Sequence, residues 1–342
     1  MAEETNQVDL DFQPDLSRPG TPMEYLRLFL SGFAMGSSDI VPGVSGGTMA
    51  FILGIYETLI NAIKSFNVDA AKMAISFFTG NDEEKPTIME IVDHLHLRFL
   101  IPLGIGLLTA VILLSSLLED LIAHQPTYIF AFFGGLIIAS VIAIGFKVKW
   151  GVVPIISLII GTVIAFVITN PELGTLGDTF GHGPVVLFIS GAIAICAMIL
   201  PGISGSFILL ILGQYQYVLN AVSERDILSL IYVALGAMVG ILAFSRVLSW
   251  LLRKFEHPTV ALLVGFMAGS MRLIVYRSTN MVDEETLVAT PLTLETNQIL
   301  IAIGLSLVGF VIVTVLDHMQ SRSNPILAIF DKNASAATAT GD

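Results

Sequence analysis

Two short motifs place polar residues inside long apolar stretches of the chain. Residues 39–48 have the sequence DIVPGVSGGT, and residues 199–206 have the sequence ILPGISGS. Proline removes a backbone donor and glycine permits turns that other residues resist, so a helix must stop in each motif. The residues that predict these two breaks are Pro42, Gly43, Pro201 and Gly202.

Small and hydroxyl-bearing residues follow each predicted break. A helix that restarts there leaves free N–H groups, which a serine hydroxyl can cap and an anion can contact. A phosphate or carboxylate could therefore bind where the two breaks meet. The substrate-binding residues predicted from this argument are Ser45, Gly46, Gly47, Thr48, Ser204, Gly205 and Ser206. The alternative is that they serve only the helix break and close packing.

The composition places these motifs in a membrane. The 342 residues are 54% hydrophobic and 13% charged, with a mean hydropathy of +0.83. A water-solvated fold of this length does not normally have such a balance. We therefore predict an all-α polytopic membrane protein, because helices satisfy their own backbone polar groups in lipid.

Apolar segments predict how the chain crosses the bilayer. Six of them approach the roughly 20 residues that span a hydrocarbon core: 99–118, 127–146, 151–168, 227–250, 258–276 and 297–316. Two longer segments, 24–63 and 184–222, contain the breaks and are predicted to be re-entrant hairpins, with pairs of full crossings as the alternative. Hydrophilic sequence forms the tails 1–23 and 317–342 and the connection 64–98, which is either an interfacial amphipathic segment or a flexible loop.

The two broken segments are copies of one sequence. Residues 31–63 and 190–222 align without gaps and are identical at 13 of 33 positions. Each half, 24–168 and 184–316, then holds one hairpin and three crossings. Three is odd, so the second half enters from the opposite face. Such inverted repeats with broken helices are typical of secondary transporters, although a duplicated scaffold could also serve a channel or a membrane enzyme.

Three ionisable residues are further candidates. Asp39 precedes the first break, its counterpart is Met198, and an ionisable group at membrane depth is a functional candidate. We predict that it carries a coupling proton or binds a sodium ion, or else that it only caps the broken helix. Arg246 is predicted to contact a headgroup phosphate, with snorkelling to the interface as the alternative. Glu57 lies nearer the surface and is predicted to be interfacial.

Charge gives the orientation and excludes some partners. With the N-terminus in the cytoplasm, twelve of the sixteen Lys and Arg residues fall inside, which predicts cytoplasmic termini in a bacterial or archaeal inner membrane. A net charge of −12 argues against nucleic acid as a partner. The lone Cys196 excludes a Cys-rich metal site, and His94 and His96 lack partners at ligand spacing. We predict no metal and no cofactor.

The paired motifs resemble a known family. DIVPGVSGGTMAFILGIYE at 39–57 and ILPGISGSFILLILGQY at 199–215 resemble the PopT-type polyprenyl-phosphate transporter family, over about Tyr25 to Leu316. The resemblance implies a non-enzymatic flippase that recycles undecaprenyl phosphate, the lipid carrier of cell-wall synthesis, from the outer to the inner leaflet. The residues of this sequence that match the family motif are Asp39, Pro42, Gly43, Ser45, Gly46, Gly47, Pro201, Gly202, Ser204 and Gly205.

Two other classes remain open. Membrane-embedded undecaprenyl-pyrophosphate phosphatases also have inverted repeats, with a Pro-Gly-x-Ser-Arg-Ser motif. Here Gly46 and Gly205 stand where that arginine would be, and the hairpins lack the charge stabilisation that phosphatase chemistry needs. A small-anion carrier or channel would need polar residues along several crossings, but the six crossings are almost wholly apolar.

Overall fold

The computed structural model describes residues 18–40, 45–79, 85–170, 181–282 and 289–321, so Pro42, Gly43 and most of both tails lie outside the described residues. The first half contains α1 (Pro22–Asp39), α2 (Gly46–Ile52), α3 (Tyr56–Lys64), α4 (Val68–Thr79), α5 (Ile88–His94), α6 (Leu97–His124), α7 (Pro126–Gly145) and α8 (Val152–Ile168). The second half contains α9 (Pro184–Ile199), α10 (Gly205–Ile211), α11 (Tyr215–Ser223), α12 (Ile227–Lys254), α13 (Glu256–Thr279) and α14 (Thr296–Ser321).

The length and apolarity of the helices confirm an α-helical polytopic membrane protein. Within the described ranges, α6, α7, α12, α13 and α14 are long and apolar enough to cross a bilayer, and α8 and α9 are shorter apolar helices. The number of candidate spans rises from five to seven if the bent pairs α2–α3 and α10–α11 each count as one. Each of the six segments predicted to cross contains one helix.

Each predicted hairpin contains, besides its Pro-Gly break, a sharp bend that we did not predict. The directions of α2 and α3 differ by 120°, and those of α10 and α11 differ by 108°. Each broken segment is therefore three helices rather than two arms. The residues responsible are Gly54 and Gly213, which are aligned in the repeat and have φ angles of +69° and +67°.

A glycine in the left-handed region ends α2 and α10 in the same way. The Gly54 N–H donates to the Phe51 carbonyl at 3.1 Å, and the Ile55 N–H donates to the Ala50 carbonyl at 3.0 Å. This pair of bonds is a Schellman motif, which closes a helix at a residue with positive φ. Gly213 and Gln214 repeat it at 2.9 and 2.8 Å. The duplication therefore extends to backbone geometry.

Corresponding helices of the two halves make corresponding contacts. α1 packs along α6 as α9 packs along α12, while α7 packs along α14 and α8 along α13. At Gly106 of α6 and Gly236 of α12, an added Cβ would overlap the carbonyls of Phe29 and Phe188. Small residues let backbones approach this closely in lipid. The α7–α14 and α8–α13 pairs join one half to the other.

Several helix ends that carry basic residues meet on one side of the molecule. Arg18, before α1, and Lys64, at the end of α3, line one cavity. The Lys64 Nζ donates to Ser249 Oγ of α12 at 3.4 Å, and the Lys149 N–H donates to His257 Nδ1 at 3.5 Å. The first broken segment therefore begins and ends on one side. We call this side the basic face, and its basic residues are Arg18, Lys64, Lys147, Lys149, Arg253 and Lys254.

Two regions of the chain contain regular elements that were not assigned from the sequence. The hydrophilic connection 64–98, for which an interfacial amphipathic segment and a flexible loop were the two alternatives, contains α4 and α5 on either side of residues 80–84, which lie outside the described residues. A short antiparallel sheet of β1 (Asn280–Val282) and β2 (Ala289–Pro291) lies between α13 and α14. Over the residues that the structure describes, the fold is therefore all-α apart from this two-stranded sheet.

Candidate functional site at the paired breaks

The structure brings the two breaks into direct contact through three hydrogen bonds. The Ser45 hydroxyl donates to the Met198 carbonyl at 2.9 Å, and the Tyr56 hydroxyl donates to the Ile199 carbonyl at 3.0 Å. In the other direction, the Gly202 N–H of the break in the second half donates to the Thr48 hydroxyl at 2.8 Å. Ser45 and Thr48 are each only 1% exposed. The residues after the first break thus hold the backbone of the second.

Glycine is required where the breaks touch. A Cβ on Gly47 would stand 2.6 Å from the Ile199 carbonyl oxygen, which is backbone of the other half. Gly202 has a φ of +87°, and a Cβ there would stand 2.8 Å from the Phe266 carbonyl oxygen of α13. A side chain at Gly47 would therefore push the two halves apart, and a side chain at Gly202 would push its break away from α13 of the same half.

Asp39 occupies the place where we predicted an anion. Its carboxylate oxygen Oδ1 accepts from the Gly46 N–H at 2.6 Å, and a side chain at Gly46 would collide with the same carboxylate. The bond fits the capping alternative, and a capping carboxylate can also bind a proton or a cation. The corresponding residue of the second break is Met198, so the carboxylate occurs at one break only.

The hydroxyls of the second break are arranged differently from those of the first. Ser204 Oγ and Ser206 Oγ lie 2.8 Å apart and share one hydrogen bond, whereas Ser45 Oγ accepts from the Gly47 N–H at 3.1 Å. Ser206 is exposed, while Ser204 and Gly205 are buried. Of the four predicted hydroxyls, that of Ser206 is therefore the one at the surface. The Ser45 hydroxyl already donates its hydrogen bond to the Met198 carbonyl.

Arg246 does not lie among the contacts of the breaks. Its guanidinium donates to the Leu242 carbonyl of its own helix, and its Nη2 donates to the Phe66 carbonyl at 3.4 Å. These bonds place it beside the end of α3, on the side of the basic face. Glu57 is exposed on α3, within electrostatic reach of Glu256.

Sequence reasoning missed one residue of this contact. Tyr56 is buried and its hydroxyl reaches the opposite break, but it was not among the predicted site residues. The available signal was its identity with Tyr215 in the aligned repeat. For metals, the part of the chain that the structure describes holds no group of three or more His, Cys, Asp or Glu that could bind an ion.

Comparison with known proteins assigns the family. A family model described as undecaprenyl phosphate translocase-like matches residues 35–290, which include both breaks and the helices between them. The chain belongs to this family. The resemblance found in the two motifs is therefore confirmed, and the family supports the prediction of a transporter rather than an enzyme.

Two curated relatives carry the same name. The polyprenyl-phosphate transporter of Vibrio cholerae is 40% identical over 253 residues, which are 74% of this chain and 78% of the relative. The polyprenyl-phosphate transporter of Staphylococcus aureus is 35% identical over 259 residues, or 71% of this chain and 83% of that relative. No solved structure matches the chain.

Proposed function

We propose that this protein moves undecaprenyl phosphate, or a similar polyprenyl phosphate, from the outer to the inner leaflet of the cytoplasmic membrane. The observation that carries the proposal is the direct hydrogen bonding between two duplicated helix breaks in a family whose curated relatives are named polyprenyl-phosphate transporters. The substrate is a monophosphate on a long apolar chain. Its headgroup needs polar partners at membrane depth, and its tail can remain in lipid.

The headgroup passes along the paired breaks. Ser206 and the N–H groups near Ser204 and Gly205 make the first polar contacts, since this break has an exposed hydroxyl and no carboxylate. Ser45, Gly46, Gly47 and Thr48 complete the site once their bonds to the second break are exchanged for bonds to phosphate. A phosphate oxygen can accept from hydroxyl and backbone N–H donors alike.

The two halves act as inverted repeats that rock against each other. The α7–α14 and α8–α13 pairs join the halves, and the α1–α6 and α9–α12 pairs lie within them. The hydrogen bonds between the breaks link the two halves in the present arrangement. Breaking these bonds on one side of the substrate and reforming them on the other would give alternating access.

Asp39 couples this movement to an ion. Its carboxylate holds the Gly46 N–H, a donor that phosphate also needs. Binding of a proton or sodium ion to Asp39 removes the negative charge from the path of an anionic headgroup, because like charges at close range repel strongly in a medium of low dielectric. The basic face is cytoplasmic, since basic residues concentrate on that side of inner-membrane proteins.

The test is a liposome assay on the purified full chain. Labelled undecaprenyl phosphate is placed in both leaflets, and external alkaline phosphatase reports which headgroups are accessible. We expect nearly all of the label to be cleaved with the protein present and about half of it in empty liposomes, since in bare lipid only the outer leaflet is exposed.

The same liposomes distinguish the other classes. Given undecaprenyl pyrophosphate and no external phosphatase, they should release no inorganic phosphate. Release of phosphate would make the protein an enzyme. Uptake of free inorganic phosphate without any change in lipid accessibility would make it a small-anion carrier.

A further inference from the structure

A second polar site lies on the basic face, away from the paired breaks. It is a cavity of about 340 Å³ between the start of α1, the end of α3 and the turn between α5 and α6. Its lining residues are Arg18, Asn61, Lys64, Ser65, Asn67, Asp93, His94 and His96. None of these residues takes part in the hydrogen bonds between the breaks.

The cavity has an excess of positive charge. Arg18 and Lys64 line it, and the guanidinium groups of Arg246 and Arg253 are close enough to act electrostatically on the Lys64 ammonium. The acidic residue of the lining, Asp93, is already paired with Arg98 at 3.0 Å. The charge left for a ligand is therefore cationic, which favours an anion over a metal cation.

Arg246 is not one of the lining residues, but its guanidinium reaches the chain segment that forms one wall of the cavity. Its Nη2 donates to the carbonyl of Phe66, which lies between the lining residues Ser65 and Asn67. A guanidinium has five N–H donors in a fork that matches two oxygens of a phosphate. Its bonds to Phe66 and to its own helix leave donors for such a ligand.

The lining also holds polar atoms that lack a hydrogen-bond partner. His94 Nε2, His96 Nδ1 and the Asp93 carboxylate oxygen Oδ1 are buried and have no hydrogen-bond partner within the described ranges, although Asp93 has the ion pair to Arg98. His96 has a φ of +50°, a conformation that is uncommon for a residue other than glycine. A buried polar atom without a hydrogen-bond partner lowers the stability of the fold. An oxyanion in the cavity would supply an acceptor for the N–H group of each histidine ring.

We propose that this cavity binds a phosphate monoester, with Lys64 and Arg246 as its main contacts. It is distinct from the site at the breaks and lies where a headgroup would arrive or leave at the membrane surface. The preference for an oxyanion follows from the charge of the cavity, and the choice of a phosphate monoester rests on the proposed function. The identification of the ligand as the transported lipid rests on the proposed function as well.

The test is equilibrium binding of labelled farnesyl phosphate to the full chain in lipid nanodiscs. The wild-type chain should bind at two sites. The Lys64→Gln/Arg246→Gln variant should lose one of them, with an affinity there that falls by about tenfold or more, since two charged hydrogen-bonding partners are removed. Lys64→Arg should keep both sites, because the positive charge remains.

Lys72→Gln is the matched control. Lys72 lies on α4 with its side chain 73% exposed and an ion pair to Asp69 at 3.7 Å, and it does not line the cavity. This variant should bind farnesyl phosphate as the wild type does. Competition separates the two sources of phosphate. Displacement by inorganic phosphate at equal concentration points to the free ion, and displacement only by prenyl phosphates points to a lipid headgroup.

The outcomes separate this inference from the proposed function. Unchanged stoichiometry and affinity in the Lys64→Gln/Arg246→Gln variant would overturn the cavity site and leave the paired breaks as they are. Lipid transport by a wild-type chain whose cavity binds no farnesyl phosphate would also overturn the cavity site and leave the proposed function as it is. Loss of cavity binding in this variant, together with wild-type binding at the breaks, would support the second site even if the protein moved no lipid.

Discussion

Asp39→Asn should lower polyprenyl-phosphate transport by about tenfold or more, which corresponds to roughly 1.4 kcal/mol on the rate-limiting step. Asparagine keeps an oxygen that can accept from the Gly46 N–H, and it caps helices about as well as aspartate. The fold should therefore be preserved. What the substitution removes is the carboxylate that binds a coupling proton or sodium ion. The measurement is the initial rate of headgroup equilibration in liposomes, with thermal unfolding of the same sample.

Glu57→Gln is the control for Asp39→Asn. Glu57 is exposed on α3 and makes no contact with the opposite break among the hydrogen bonds of the described residues. Its substitution should leave transport close to the wild-type rate. Wild-type transport by Asp39→Asn would show that Asp39 is only a helix cap, and the coupling role would then have to be abandoned.

Thr48→Val should weaken the contact between the halves and reduce both stability and transport. The variant removes the hydroxyl that accepts from the Gly202 N–H at 2.8 Å, in a place that water does not reach. A buried N–H without a partner costs about 1–3 kcal/mol, so the free energy of unfolding should fall by that amount. Transport should fall with it, because the two breaks no longer hold a shared position. Thermal unfolding in detergent and the liposome assay measure these effects.

Thr48→Ser is the matched variant, since it keeps the hydroxyl and loses only a methyl group. It should recover most of the stability and transport that Thr48→Val loses. If valine and serine behaved alike, packing rather than the hydrogen bond to Gly202 would account for the role of this residue.

The sequence predicted the breaks and the apolar crossings because their signals are local. Proline and glycine interrupt a helix wherever they occur in these combinations, and each crossing is a long apolar run. The bend at Gly54 was not predicted, because this glycine stands alone in an apolar stretch, where a single glycine is usually tolerated within a helix. Its left-handed φ became apparent only with the bonds that close α2. The short sheet between α13 and α14 had no periodic signal in three-residue strands.

The chemistry of the site was harder to predict than its location. The residue types after Pro42 and Pro201 showed where donors would gather, but not whether a hydroxyl binds a ligand or the other half. The Ser45 hydroxyl binds the Met198 carbonyl, a contact across 153 positions of sequence. Arg246 was predicted from its chemistry alone to contact a headgroup phosphate, and tertiary packing places it beside the end of α3. Such long-range contacts leave no pattern in one sequence.

Photocrosslinking tests most directly whether the lipid headgroup crosses at the paired breaks. The probe is a polyprenyl phosphate with a diazirine in its first isoprene unit, used with the full chain in nanodiscs, and modified residues are found by mass spectrometry. We expect labelling at residues 45–48 and 204–206 that excess unlabelled polyprenyl phosphate suppresses and that a diazirine-bearing polyprenol without phosphate does not reproduce. Absence of any competitor-sensitive labelling at both breaks would contradict the account.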